Sequence, residues 1–338
     1  MAVKFVEVVR SNLLESVHLG SLAVVHSDGR LLRSLGDIDR KTYFHSSAKP
    51  LQGIASLDAG IVEEFEMDLR EIAMIISSHS GEREHIEALE GLSKKIGVNA
   101  DSIECGISDP VGTDVLRELY TSGRSVGKLH CNCSGKHLGM LAACLAKGYP
   151  TADYHRKSHP IQERVKRVLT EFCAVPSDSV PDGIDGCTVP VYAFPLRNMA
   201  LAYANLCNPD FLGGKYKKSQ NYVLSAMTMY PEYVAGKRRL DTVLMKRFGS
   251  RVVCKVGAEG VYCAGLIGKA TGIALKIEDG GLRAAGPAII ETLLQLGILN
   301  DEEAEGMREF WKPSLFNNKG EIIGEIRPVF RLPEKPQE

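Results

Sequence analysis

An α+β fold is predicted, with one antiparallel sheet assembled from the two ends of the chain around a helix-rich middle portion. Three observations predict it. Short alternating or β-branched segments occur at 3–9, 21–26 and 31–35 and return at 252–256, 261–266 and 273–278. Between them, apolar residues recur at helical spacing. The turns joining the strands are short and marked by glycine, Asp28-Gly29 early and Asp279-Gly280-Gly281 late, which sets neighbouring strands antiparallel.

Taken in order, Met1 to Glu15 alternate apolar and polar and carry Glu7, Arg10 and Glu15, so they read as a strand rather than an export signal. After the Asp28-Gly29 turn and Leu31 to Leu35, a helix starts at Ser47. Helical patterns then cover about 67–76, 82–96, 111–121, 136–147, 158–173 and 219–230. The late strands form a meander. A last helix over about 283–297 precedes a charged tail and a strand near 320–327. No repeat, low-complexity run or linker divides residues 1–338, which read as one compact unit with two lobes.

Composition narrows the partners. A formal net charge of -1 and the lack of any basic run argue against nucleic acid and for a small-molecule ligand. No apolar stretch is long enough to span a bilayer, so no membrane partner is expected and the cytoplasm is the expected compartment. The 9 cysteines are an odd number in a chain too long to need disulfide staples, so most are expected reduced. Cys144, Cys173, Cys207 and Cys263 sit in apolar contexts, as small buried hydrophobes do. Cys131, Cys133 and Cys187 fit that description less well.

The run Ser46-Ser47-Ala48-Lys49-Pro50 carries the most chemistry. Proline lacks an N–H and clashes with the carbonyl four residues back, so a helix containing Pro50 is comfortable only with Ser46 at its edge, as an N-cap. Residues three apart share a helix face, which hangs the Lys49 amine beside the Ser46 oxygen. Burial or a nearby positive charge can leave such an amine neutral, and it then activates the hydroxyl. Ser-x-x-Lys arises by chance about once in a chain of this length. It recurs at Ser125-Val126-Gly127-Lys128, without the proline or the apolar run Leu51, Ile54, Ala55 and Leu57 that anchors the first copy. The second copy reads as a solvated loop.

Four separated motifs then align with one family. His45-Ser-Ser-Ala-Lys-Pro50, Ser78-His-Ser-Gly-Glu82, Cys133-Ser-Gly-Lys-His137 with Asp185-Gly-Cys187, and Lys255-Val-Gly-Ala-Glu-Gly260 together resemble the asparaginase II family, the serine-lysine type of L-asparaginase, over about residues 5–328. The resemblance implies a serine β-lactamase/penicillin-binding-protein-like fold, homodimers, and hydrolysis of L-asparagine to aspartate and ammonia. It places Ser46 and Lys49 at the nucleophile and base of a first serine-lysine pair and Ser78 and Lys255 at a second. Lys255-Val256-Gly257 is similar to the strand-borne Lys-x-Gly element of β-lactamase-like enzymes. Two lysines sharing one pocket penalise each other's protonation and titrate as a unit. Ser46 is the expected attacking group, because its helix end also offers N–H groups to an oxyanion, with Ser78 and Lys255 relaying protons.

The resemblance also makes Cys133, Lys136 and Cys187 the ligands of a Zn2+ that positions substrate. Three protein ligands leave a position open, and two thiolates cancel the charge of the ion. Holding a lysine neutral at pH 7 costs roughly 4 to 5 kcal/mol from its reference pKa, so the metal bond has to offset that and occupancy should depend on pH. On residue types alone, Cys133 and Cys187 would be reduced structural thiols and Lys136 a surface cation. Cys131-Asn132-Cys133 also makes Cys131 a competing ligand. His137 and Asp185 are expected at the substrate or metal shell, with a core or loop-stabilising role as the alternative. His79 and Glu82 are weaker candidates, and Glu82 could simply begin a helix.

One position departs from the family. His45 stands where arginine commonly precedes the nucleophile, replacing a permanent cation by a side-chain type whose charge changes near neutral pH. If it helps hold the substrate carboxylate, affinity becomes weaker and pH-sensitive. Two rival functions stay open: another serine-lysine hydrolase of cyclic or peptide amides, and a non-catalytic zinc-binding protein. The threonine-dependent asparaginases are disfavoured because a Thr-Gly-Gly-Thr type of opening is absent.

Overall fold

The protein is described here by a computed structural model covering residues 1–334. From the N-terminal end come β1 (Val3–Arg10), β2 (Leu13–His26) and β3 (Leu31–Leu35). β4 (Lys41–Tyr43), β5 (Asp182–Ile184) and β6 (Pro190–Pro195) make a small separate sheet in the order β4-β6-β5. The C-terminal part supplies β7 (Val252–Val256), β8 (Val261–Leu266), β9 (Thr271–Ile277), β10 (Ser314–Phe316) and β11 (Ile322–Pro328). The two ends meet in one antiparallel sheet in the order β10-β11-β1-β2-β9-β8-β7, with β3 paired to β2. The expected sheet is present, and β7 is its edge.

The Asp28-Gly29 turn forms as read: Gly29 takes φ 88° and its N–H donates to the His26 carbonyl at 2.9 Å. The first segment needs a correction. Met1 to Glu15 is not one strand but the start of a hairpin, reversing at Ser11, which takes φ 51°. The charged tail likewise holds the short helices Asp301–Glu305 and Arg308–Trp311 before β10 and β11.

All six helical patterns of the middle portion are helices, at Leu69–Ile75, Arg83–Lys95, Thr113–Thr121, Ser134–Lys147, Pro160–Cys173 and Lys217–Met229, and the late one spans Leu282–Gln295. The helix Leu196–Leu206 was not expected. Most of it is buried, against β2, β8 and β9, and only Arg197, Asn198 and Leu201 remain on its outer side, a narrow stripe. Gly272 on β9 permits that contact, since a Cβ there would lie 1.9 Å from the Ala200 carbonyl oxygen. Every residue of β8 and β9 is buried, with Leu282–Gln295 also packed on both strands. Sheet and helices share one hydrophobic core.

The N-cap expected at Ser46 is not there. His45–Ala48 is a 3-10 turn, and the α-helix Lys49–Leu57 starts three residues beyond Ser46, with Ala48 as its N-cap and Pro50 in its first turn. Proline dictates an N-terminus nearby but tolerates a tighter turn ahead of it.

Candidate active site

The edge strand β7 brings Lys255 to the turn His45–Ala48. Ser47 Oγ donates to the Lys255 carbonyl at 3.2 Å, and Gly257 allows the approach, because a Cβ there would lie 2.7 Å from that oxygen. His45 takes φ 46°, a left-handed conformation for a residue with a side chain. Such strain is of order 1–3 kcal/mol and persists only where the surroundings enforce it. Ser78 follows the helix Leu69–Ile75 and is pinned by its N–H donating to the Val234 carbonyl at 2.8 Å. The helix Ser134–Lys147 lies on the same element: a Cβ on Gly135 would be 2.0 Å from the Met74 carbonyl oxygen. That close approach delivers Lys136 to the site.

The lysines pair differently from the expected scheme. The buried Lys49 amine donates to Ser78 Oγ at 2.8 Å, to the Ser77 carbonyl at 2.6 Å and to the Asn132 carbonyl at 3.1 Å. Three acceptors match the three N–H bonds of an ammonium. A neutral amine would keep the two carbonyls, which only accept, and turn its lone pair to the Ser78 hydroxyl, which can also donate. Lys255 is fully buried. Its amine donates to the Val256 carbonyl at 3.0 Å and faces the Asp241 carboxylate at 3.6 Å. Burial pulls it down to about 7, against Asp241 and with the help of Lys49 and Arg239. Ser46 is half-buried, more accessible than Ser78. Two of the N–H groups expected for an oxyanion are already used, Ser47 N–H on the Phe44 carbonyl and Lys49 N–H on the Ser46 carbonyl.

Lys136 is buried, not a surface cation, and its amine lies 3.1 Å from Cys187 Sγ. Hydrogen bonds from Cys131 and Cys187 hold the Cys133 thiol well below its usual range, with Lys49 and Lys136 adding to this, while the hydrogen bond to Cys133 holds Cys187 well above it. Burial opposes the charge on Lys136, but Cys187, Cys133 and Asp185 outweigh it and raise its pKa. Two sulfurs and an amine thus adjoin one another, a donor set that fits a zinc ion displacing their protons. Among the described residues no group of three His, Cys, Asp or Glu could hold a metal, so such a set needs the lysine and does not gain Cys131 as a third sulfur. Cys131 instead points toward the Cys105 carbonyl at 3.8 Å. All nine cysteines are free and buried.

His45 Nδ1 lies 3.4 Å from Asp185 Oδ1, both side chains partly open to solvent. Burial raises the Asp185 carboxyl, but its contacts with His45 and Lys136 win and lower it. His137 is buried, and burial with Lys136 nearby pulls it down to about 3. The Glu104 N–H donates to the Tyr154 oxygen at 2.8 Å, and that oxygen also lies 2.6 Å from His137 Nδ1. Among the described residues His137 Nε2 makes no hydrogen bond. The weaker candidates hold the frame: His79 Nε2 pairs with Ser134 Oγ at 3.0 Å, and Glu82 caps the helix Arg83–Lys95 and accepts from the Lys237 N–H at 2.9 Å. In the second Ser-x-x-Lys copy Ser125 is exposed and the Lys128 amine serves the Asp101 carbonyl.

Asp241, Tyr154 and Asn132 take part in the site without having been singled out. Asp241 opens the unexpected helix Leu240–Phe248, where an acidic residue in the first turn reads as an ordinary dipole partner. The amphipathic spacing of Leu240, Val243, Leu244 and Phe248, with Lys246 and Arg247 in the last turn, was the available signal.

The family model described as L-asparaginase II matches residues 6–328. Among solved structures the chain is similar to Mglu in its native form, at 14% identity over 83% of this chain and 64% of that chain with a TM-score of 0.36. It is similar to Mglu in its tris and glutamate form, at 14% identity over 82% and 59% of the two chains with a TM-score of 0.38. Mglu in its native form in the presence of 4.3 M NaCl gives 15%, 83%, 61% and 0.38. This chain spans about three-fifths of the length of those structures. No curated protein matches it.

Proposed function

The chain belongs to the L-asparaginase II family, and we propose that it hydrolyses the side-chain amide of L-asparagine to give L-aspartate and ammonia. The observation that carries this proposal is the Lys49 amine 2.8 Å from Ser78 Oγ in a buried site that also holds a second lysine, Lys255. Ser46, the more accessible hydroxyl, attacks the carboxamide carbon, and its proton passes by way of Ser78 to the neutral Lys49 amine. The tetrahedral adduct collapses as the Lys49 ammonium returns that proton to the amide nitrogen, which leaves as ammonia and frees the amine again. Water then adds to the acyl-serine, giving a proton to the same amine, which hands it back by way of Ser78 to the departing Ser46 oxygen as aspartate leaves.

Lys255, poised near neutrality, is the second base of the site. Asp185 suits the substrate ammonium and His45 its carboxylate, and the buried Nε2 of His137 is a further polar atom for it to meet. Cys133, Lys136 and Cys187 would hold Zn2+, whose chemistry when bound is a Lewis-acid position for substrate. The sheet from both chain ends, with Lys255 on its edge strand, supports a serine β-lactamase-like architecture. A cytoplasmic homodimer, acting on a small molecule, completes the proposal. No helix among the described residues is long and apolar enough to cross a membrane.

Ammonia release from free L-asparagine by the purified chain is the test. Turnover of a β-lactam or peptide amide instead would favour the rival serine-lysine hydrolase. Bound zinc with no hydrolysis would favour a non-catalytic zinc protein.

A further inference from the structure

We propose that Asp241 is a positioning residue for this reaction, a fixed counter-charge that sets the direction and basicity of the Lys255 amine; the proposal rests on the asparaginase reading of the site. Asp241 is 1% exposed and belongs to none of the four motifs. Its Oδ1 accepts from the Tyr262 hydroxyl at 2.6 Å and its Oδ2 from the Val256 N–H at 3.0 Å. Val256 and Tyr262 are register partners on β7 and β8, so the carboxylate is clamped to the end of the strand that carries Lys255. β7 is the sheet edge, so Asp241 also satisfies an N–H that has no strand partner.

A carboxylate held this way is no substrate ligand and no free base. What it can do is face the Lys255 amine, 3.6 Å from Oδ2, while the Val256 carbonyl at 3.0 Å fixes one amine hydrogen. The charged and titratable groups around that amine are Asp241, Lys49, Arg239 and Cys133. Burial, Lys49 and Arg239 push toward the neutral amine; Asp241 and Cys133 push back. Without Asp241 the amine would remain neutral but become a weaker base, with no fixed orientation. A base is most effective when its pKa lies near the working pH. Asp241 keeps Lys255 there.

Asp241→Asn tests this, because it preserves shape and the acceptor for Tyr262 while removing the charge. The limb of kcat/KM against pH that rises through about 7 in the wild type should move about one unit lower, with the plateau down about tenfold. A purely structural residue would lower stability and yield of active protein and leave the limb in place. Should Asp241→Asn not fold, Tyr262→Phe keeps the charge but strips one hydrogen bond from the carboxylate, which then holds the ammonium more tightly. Its limb should move higher. An unmoved limb in folded Tyr262→Phe, or a shift of either variant against the stated direction, overturns the proposal. If the wild type releases no ammonia, the asparaginase reading fails first. Asp241 is then judged by 13Cε-lysine NMR: the Lys255 signal, assigned through Lys255→Met, should titrate lower in Asp241→Asn or higher in Tyr262→Phe, and an unchanged titration overturns the proposal.

Discussion

Lys49 reaches across 29 residues of chain to place its amine 2.8 Å from Ser78 Oγ, while the carbonyls of Ser77 and Asn132 each take one of its hydrogens. The two serines of the site are thereby served unequally. Ser78 is buried on the lysine, and Ser46 lies on the accessible side of the turn.

Replacing Lys49 by Met removes the one side-chain partner that Ser78 has among the described residues and strands two buried carbonyls. Ammonia release should fall about 10²- to 10⁴-fold, the usual worth of a positioned base. Urea denaturation should show a loss of about 1–3 kcal/mol. Near-normal turnover in the folded variant would count against Lys49 as the base.

The serines separate by intact mass. Ser46→Ala should give no acyl adduct after brief exposure to asparagine or an electrophilic analogue. Ser78→Ala should still acylate, at a rate lowered about 10²-fold or more. An adduct mapped to Ser78 in the wild type would reverse the assignment.

His45→Arg offers a planar, permanently charged donor beside Asp185, now 3.4 Å from the imidazole. KM for asparagine should fall several-fold, because the guanidinium is a permanent, bidentate partner for a carboxylate. If it does not move, the substrate carboxylate is held elsewhere.

Protein purified without chelator should carry about one zinc per chain, read by elemental analysis, with binding lost as the pH falls because the ligands must shed protons. Cys133→Ser and Cys187→Ser should abolish the metal and remove the rise in melting temperature that added zinc produces. A metal-free wild type at neutral pH would remove zinc from the proposal.

Gly135→Ala tests how the helix Ser134–Lys147 is seated. Its Cβ would stand 2.0 Å from the Met74 carbonyl oxygen, backbone that cannot turn aside. A stability loss of about 1–3 kcal/mol is expected in urea, together with weaker zinc binding as Lys136 is displaced.

The longer strands of the large sheet were legible because each shows a local period or β-branched composition, whereas the short strands β4, β5, β6 and β10 were not read. The helix Leu196–Leu206 was missed because its outer side is only a narrow stripe, Arg197, Asn198 and Leu201, in a mostly apolar run. The first hairpin was hidden by its turn: Ser11 reverses the chain at φ 51°, a conformation that its residue type does not announce. At the site, residue types and spacing singled out Ser46 and Lys49, whereas Ser78, Lys255, Cys133, Lys136 and Cys187 came from the resemblance of four contiguous motifs to the asparaginase II family.

By itself the sequence determined the main strands at the two ends, their antiparallel pairing, the longer helices of the middle portion, and the family. Those depend on short-range patterns and on motifs that are contiguous in the chain. Only the tertiary structure decided which lysine meets which serine, that Ser46 sits in a 3-10 turn ahead of its helix, and that Asp241 faces Lys255. The side-chain contacts join residues on different elements, and a difference of a few ångströms in how helices seat on the sheet reassigns them. Hydrogen bonds and buried charges are sensitive to that distance; periodicity is not.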